Sequence, residues 1–256
     1  MSSTGPAEPR AGLGEALGAE WVKLRGTRSA TWTLAAMAAC VVGVAALVGA
    51  TRSLQPDDTV LGGSLTGAAL ALVVAASFGA LAMAGEHASG TIRVTLVACP
   101  RRGVVLAAKA AVVGATLFVV GLAACLLAWR VGAAMLPDGY APGSPVPALA
   151  GVALCFSATG LLGLAAGTAL RHPAAAVTTM VAVLLLPTLV GPLLGGWGRW
   201  VAGASPVAAL QKLAQSSDAT PEAVGSLGAW PSLGLVAAAT TVALLAALLL
   251  LRRRDA

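Results

Sequence analysis

The chain is 256 residues long, with 58% hydrophobic and 10% charged side chains and a mean hydropathy of +0.88. A soluble globular domain carries roughly 25% charged residues, so this is the composition of a membrane protein. The net charge of +6 does not indicate nucleic acid, because the basic residues are not interleaved with exposed aromatics and no soluble domain presents them.

Before the first apolar stretch, Leu13, Leu17, Trp21 and Leu24 recur at helical spacing, with Glu15, Glu20, Lys23 and Arg25 mostly off that stripe. The pattern predicts an interfacial helix lying on a leaflet, either as a plain anchor or as a lever between a cytoplasmic partner and the first span. A hydrocarbon core about 30 Å thick needs roughly 20 helical residues. Six stretches qualify: 31–50, 61–84, 104–129, 148–170, 174–194 and 232–251. The first is longer than the apolar region of a cleavable signal peptide, which predicts an uncleaved span. Turn residues mark the breaks at Gln55-Pro56-Asp57-Asp58, Pro137-Asp138-Gly139 and Arg171-His172-Pro173. Pro187 and Pro192 each remove a backbone donor and predict a kink or break toward the outer end of the fifth span. The segment 195–231 carries Trp197, Trp200 and Trp230 and a short helix expected over 206–216, consistent with a dip into the headgroup zone.

With the amino terminus inside, Arg10, Lys23, Arg25, Arg28, Arg93, Arg101, Arg102, Lys109, Arg171, Arg252, Arg253 and Arg254 fall on the inner side. Only Arg52, Arg130, Arg199 and Lys212 fall outside. This positive-inside bias predicts two cytoplasmic termini and a cytoplasmic loop at 85–102. No Asp, Glu or His is expected within a span, and Lys109 and Arg130, near opposite ends of the third, are expected to snorkel to the interface. Ion-coupled carriers usually need buried ionisable groups, so the spans speak against that mechanism. HExxH, GxSxG and Walker A patterns are absent from the sequence, so no catalytic residue is assigned and no nucleotide hydrolysis is expected here. Of the four cysteines, Cys40, Cys125 and Cys155 fall in spans without metal-ligand spacing, so no metal site is assigned. GxxxG patterns at Gly63/Gly67, Gly163/Gly167 and Gly191/Gly195 are no more frequent than about four expected by chance from 31 glycines, and carry no weight as dimer markers.

The loop 85–102 is the most informative segment. Glu86 opens it, Ser89, Gly90 and Thr91 supply turn and capping chemistry, and Pro100 closes it before Arg101 and Arg102. Ile92 to Cys99 fits either period, but a lone strand would leave its backbone unsatisfied, which favours a short helix presenting Arg93 to the cytoplasm. Glu86 and Arg93 are read either as an ion pair that fixes the loop or as contacts to a partner.

Here the chain resembles the permease subunits of ABC-2 type transporters. The carrying residues are Glu86, Gly90-Thr91-Ile92, Thr95-Leu96, Pro100 and Arg101-Arg102, followed by Lys109, together with Glu20-Trp21-Val22-Lys23-Leu24-Arg25 and the basic end Leu251-Arg252-Arg253-Arg254-Asp255-Ala256. The resemblance implies an all-α, six-span permease domain over 31–251, flanked by cytoplasmic 1–30 and 252–256. It implies a bacterial plasma-membrane location and a homodimer or heterodimer with a second permease subunit. It further implies an ATPase partner that holds ATP and Mg, with none bound by this chain. The coupling residues it implies are Glu86, Gly90, Thr91, Ile92, Arg93, Thr95, Leu96, Pro100, Arg101 and Arg102. Its interface helix would carry Leu13, Leu17, Trp21, Lys23, Leu24 and Arg25. Export of drugs, lipids or hydrophobic peptides suits apolar spans; a non-transporting scaffold or sensor that recruits a cytoplasmic protein through the same loop is the alternative.

Overall fold

The computed structural model describes residues 12–54, 57–136 and 139–253, all helix and connection with no strand among them. The boundary markers Gln55, Pro56, Pro137 and Asp138, the tail before Gly12 and the basic end after Arg253 lie outside the described residues. Six helices are long and apolar enough to cross a membrane. In chain order these are α2 (Arg28–Thr51), α4 (Ala68–Ala88), α6 (Arg102–Met135), α7 (Pro145–Leu170), α8 (Pro173–Val190) and α12 (Ala229–Arg253). Between them lie α1 (Leu13–Gly26), α3 (Val60–Ser64), α5 (Thr91–Ala98), α9 (Gly198–Gly203), α10 (Pro206–Leu213) and α11 (Pro221–Val224), with a 3-10 helix at Gly191–Trp197.

Helices α4 and α7 form the centre of the bundle. They cross closely because glycine faces backbone: a Cβ on Gly79 would sit 1.7 Å from Gly160 O, one on Gly163 2.1 Å from Ala76 O, and one on Gly167 2.2 Å from Ala80 O. Without a hydrophobic drive in lipid, such close backbone packing is what holds spans together. Gly163 and Gly167 therefore have a packing role inside the chain, which their chance-level frequency had hidden. Around this pair, α6 packs onto α7 with Gly121 facing the Phe156 ring and Leu117 facing Gly160, and Leu117 and Phe156 are fully buried. Helices α2, α8 and α12 lie outermost and turn residues such as Leu47, Leu189 and Leu245 outward.

Two boundaries depart from the hydropathy pattern. The apolar stretch 61–84 is not one helix: α3 ends at Ser64, and α4 begins at Ala68 and runs on to Ala88. Thr66 Oγ1 donates to Gly63 O at 3.0 Å, and Leu65 N bonds both Leu61 O and Gly62 O, so the end of α3 is capped locally and the helix stops. The third span is a 34-residue helix, about 51 Å long at 1.5 Å per residue, which overruns the hydrocarbon core. The split between α7 and α8 falls at Arg171, in the left-handed region at φ 57°, and His172 caps α8 by accepting from Ala175 N. Helix α8 passes Pro187 and ends at Val190, where Gly191-Pro192 starts the 3-10 turn.

One end of the bundle gathers α1, α5, the start of α6 and the end of α12; Arg102 donates to Leu251 O there. At the other end, Gln215 clasps Ser144 through Nε2 to O at 3.4 Å and Oε1 from N at 3.2 Å, and Asp58 accepts from Ser217 N at 3.2 Å.

Candidate functional site

At the α1–α5 end, four charges drawn from three helices meet. Lys109 on α6 donates to Glu20 Oε2 on α1 and, at 2.9 Å, to Glu86 Oε1 on α4. Lys23 on α1 donates to Glu20 Oε1 at 2.8 Å, to the same Glu86 oxygen at 3.1 Å, and to Thr95 Oγ1 on α5 at 2.9 Å. Side-chain exposure is 5% for Lys109, 7% for Glu20, 14% for Glu86 and 35% for Lys23. The cluster is therefore neutral in sum and largely shut off from water. Burying an ion is expensive, and a network like this persists only where each charge is matched and hydrogen-bonded. Burial works against the charge of Lys23, but its hydrogen bond to Glu20 and the attraction of Glu86 and Glu20 outweigh it, holding its pKa above the ordinary lysine value.

Three expectations are corrected by this geometry. Lys109 does not snorkel; it turns inward because two carboxylates meet it. Glu86 and His87 do not sit in a loop but in the last turn of the second spanning helix, since α4 continues to Ala88. Glu86 pairs with Lys23 and Lys109 instead of Arg93, which is exposed and makes no ion pair among the described residues. The N-terminal helix is also turned differently from its apolar stripe. Glu20, Lys23 and Leu24 face the bundle, while Leu13 and Trp21 are exposed, Leu17 is half-buried, and Arg25 covers the Trp21 ring at 4.5 Å.

The remaining residues of the loop divide by role. Gly90 takes φ +75°, a left-handed conformation that glycine adopts without penalty, and so turns the chain from α4 into α5. Ile92 is buried and Leu96 packs beside it against Met83, Leu106, Leu164 and Leu251, which seats α5 on the bundle. Arg93, Val94 and Val97 point the other way, the two valines 70% and 85% exposed. Thr91, Pro100 and Arg101 are exposed, and Arg102 ties the start of α6 to α12. His87 Nδ1 bonds back to Met83 O at 3.0 Å on its own helix.

Sequence reasoning missed Lys109 and Glu20 as members of one site. Their signal was present: a lone lysine inside an apolar helix needs a carboxylate, and Glu20, three residues before Lys23, was the glutamate nearest the membrane on α1. No protein-family model matches the chain, and no curated protein matches it. The permease resemblance thus rests on the residues quoted for it.

Proposed function

We propose that this chain is the membrane subunit of an ATP-driven exporter of the ABC-2 kind, and that α5 receives motion from a separate cytoplasmic ATPase. The observation that carries the reading is the unbroken polar path Thr95–Lys23–Glu20–Lys109–Glu86. It joins α5 to α1, α4 and α6, so a displacement of α5 is felt by two spanning helices and by the N-terminal helix together. Such a path is what a relay requires, because packed helices joined by matched charges switch between discrete arrangements and do not stretch. The exposed face of α5, basic at Arg93 and apolar at Val94 and Val97, suits a groove on a soluble subunit.

On this reading, ATP closure in the partner pulls α5, the charge cluster carries the pull to α1 and α6, and a pair of permease subunits opens outward from a bacterial plasma membrane. The test is co-purification with a Walker-motif ATPase and ATP-dependent extrusion from vesicles. Arg93→Glu is expected to abolish both stimulation of the ATPase and transport while leaving the fold intact. Partner binding without ATP-dependent transport would point to the scaffold reading; transport with unchanged stimulation in the variant would remove α5 from the coupling path.

A further inference from the structure

The start of α6 and the end of α12 meet around an open cleft of about 530 Å³, lined by Pro100, Arg101, Arg102, Gly103, Val104 and Arg252. Three arginines from two helix ends thus face one space, and no acidic residue lines it. Arg102 donates to Leu251 O, which pins the two helix ends to each other. Gly103 leaves room over the first turn of α6, where a Cβ would stand 3.5 Å from Arg252 Nη2 and 3.8 Å from Leu248 Cδ1. The Arg252 guanidinium therefore lies across that turn, where the dipole of α6 adds to the positive field.

By sequence, 100–104 and 251–256 together hold five arginines and one carboxylate side chain, Asp255. Arg101 and Arg252 are exposed and make no ion pair among the described residues. Glu20 and Glu86, at the same end of the bundle, are already matched by Lys23 and Lys109. The cleft is left with an unbalanced positive charge, and guanidinium groups present paired N–H donors that fit phosphate oxygens. An apolar track leads away from it. Leu249 and Leu245 stand three and seven residues before Arg252 on α12, on the same face of that helix, and are 54% and 57% exposed. Seven residues of helix span about 10 Å, so Leu245 lies at acyl depth when Arg252 is level with lipid phosphates.

We propose that this cleft seats an anionic phospholipid, its phosphate held by Arg101 and Arg252 and one acyl chain lying along Leu249 and Leu245. A zwitterionic head brings an ammonium in among the arginines, and the repulsion offsets part of what its phosphate gains. A free phosphate meets the guanidinium groups but leaves the leucine track uncovered. The inference does not rest on the transport reading, since a lipid that joins the ends of α6 and α12 is compatible with a scaffold as well as with an exporter.

The test is native mass spectrometry of the full chain in mild detergent with an equimolar mixture of phosphatidylglycerol and phosphatidylcholine of identical chains. Phosphatidylglycerol is expected to be retained in preference to phosphatidylcholine. An arginine near a membrane surface contributes about fivefold toward an anionic lipid, so Arg252→Gln and Arg101→Gln are each expected to lower the ratio of the two lipids by about that factor. Arg28→Gln, which removes a charge at the start of α2 outside the cleft, is expected to leave the ratio unchanged. Inorganic phosphate in large excess is expected not to displace the lipid; displacement would show an anion site with no use for the leucine track and would overturn the proposal. Equal retention of the two lipids by the native chain would overturn it as well. So would an equal fall in Arg28→Gln and Arg252→Gln, which would show attraction to the basic side as a whole and not to this cleft.

Discussion

Replacing Lys109 with methionine tests whether the charge cluster holds the helix ends together. The substitution keeps the length of the side chain but removes the cation from between Glu20 and Glu86, both largely buried. Breaking a buried pair by deleting one partner costs about 3–5 kcal/mol, because the other charge is left without compensation. Here two carboxylates lose a partner, although Lys23 still reaches each of them, so the lower part of that range, about 3 kcal/mol, is expected. In SDS-induced unfolding from mixed micelles this is roughly a 150-fold fall in the folding constant, at about 1.4 kcal/mol per tenfold. Lys23→Met, which removes the more exposed cation, is expected to cost about 1 kcal/mol or less. The double variant Glu20→Gln/Lys109→Met is expected to be less destabilised than the sum of its single changes, since the two groups are in direct contact. If Lys109→Met unfolds like the native chain, or if the double variant is strictly additive, the cluster is not what fastens α1 to α4 and α6.

Further outcomes follow from other parts of the molecule. Because Lys23 holds its proton more tightly folded than unfolded, its contribution is complete below the ordinary lysine value of 10.5 and is lost as pH rises through the higher folded value. Unfolding titrations of the native chain and of Lys23→Arg, which does not titrate, should therefore run together at neutral pH and diverge only in the alkaline range; divergence near pH 7 would contradict the assignment. Gly163→Ala puts a methyl against Ala76 O and is expected to cost about 1–3 kcal/mol of stability, whereas Gly43→Ala, with open space around it, should stay within about 0.5 kcal/mol. Equal effects of the two in the same unfolding assay would show that the α4–α7 crossing is not close-packed.

The spanning helices were legible because lipid exposure demands long apolar runs with all backbone groups paired internally, and hydropathy reads such runs directly. Their ends were not. The stretch 61–84 reads as one uncharged, mostly apolar run, yet Thr66 and its bonds to the end of α3 divide it, a local competition that mean hydropathy does not register. The short helix after Gly90 was legible from turn chemistry and from the cost of a lone strand. The orientation of α1 was hidden, since its apolar stripe predicts Leu13 and Trp21 against other apolar groups, and what decides its rotation is the attraction of Lys109 and Glu86 for Glu20 and Lys23. Those partners lie 89 and 63 residues away in the chain. A single sequence shows each charge but not which one it will meet.

Glu86 and Lys109 give the bundle buried titratable groups at one end, so the question of what drives the protein is sharper than composition alone made it. The decisive measurement is solute accumulation in sealed vesicles holding the purified chain, with and without an ATPase of the kind proposed as its partner and ATP, under an imposed pH or sodium difference. If the chain is driven through α5, solute moves against a gradient only with the ATPase and ATP present, and none moves with the chain alone. Uphill movement by the chain alone under either ion difference would contradict this reading and would make the Glu20–Lys23–Glu86–Lys109 cluster an ion-coupling centre and not a relay.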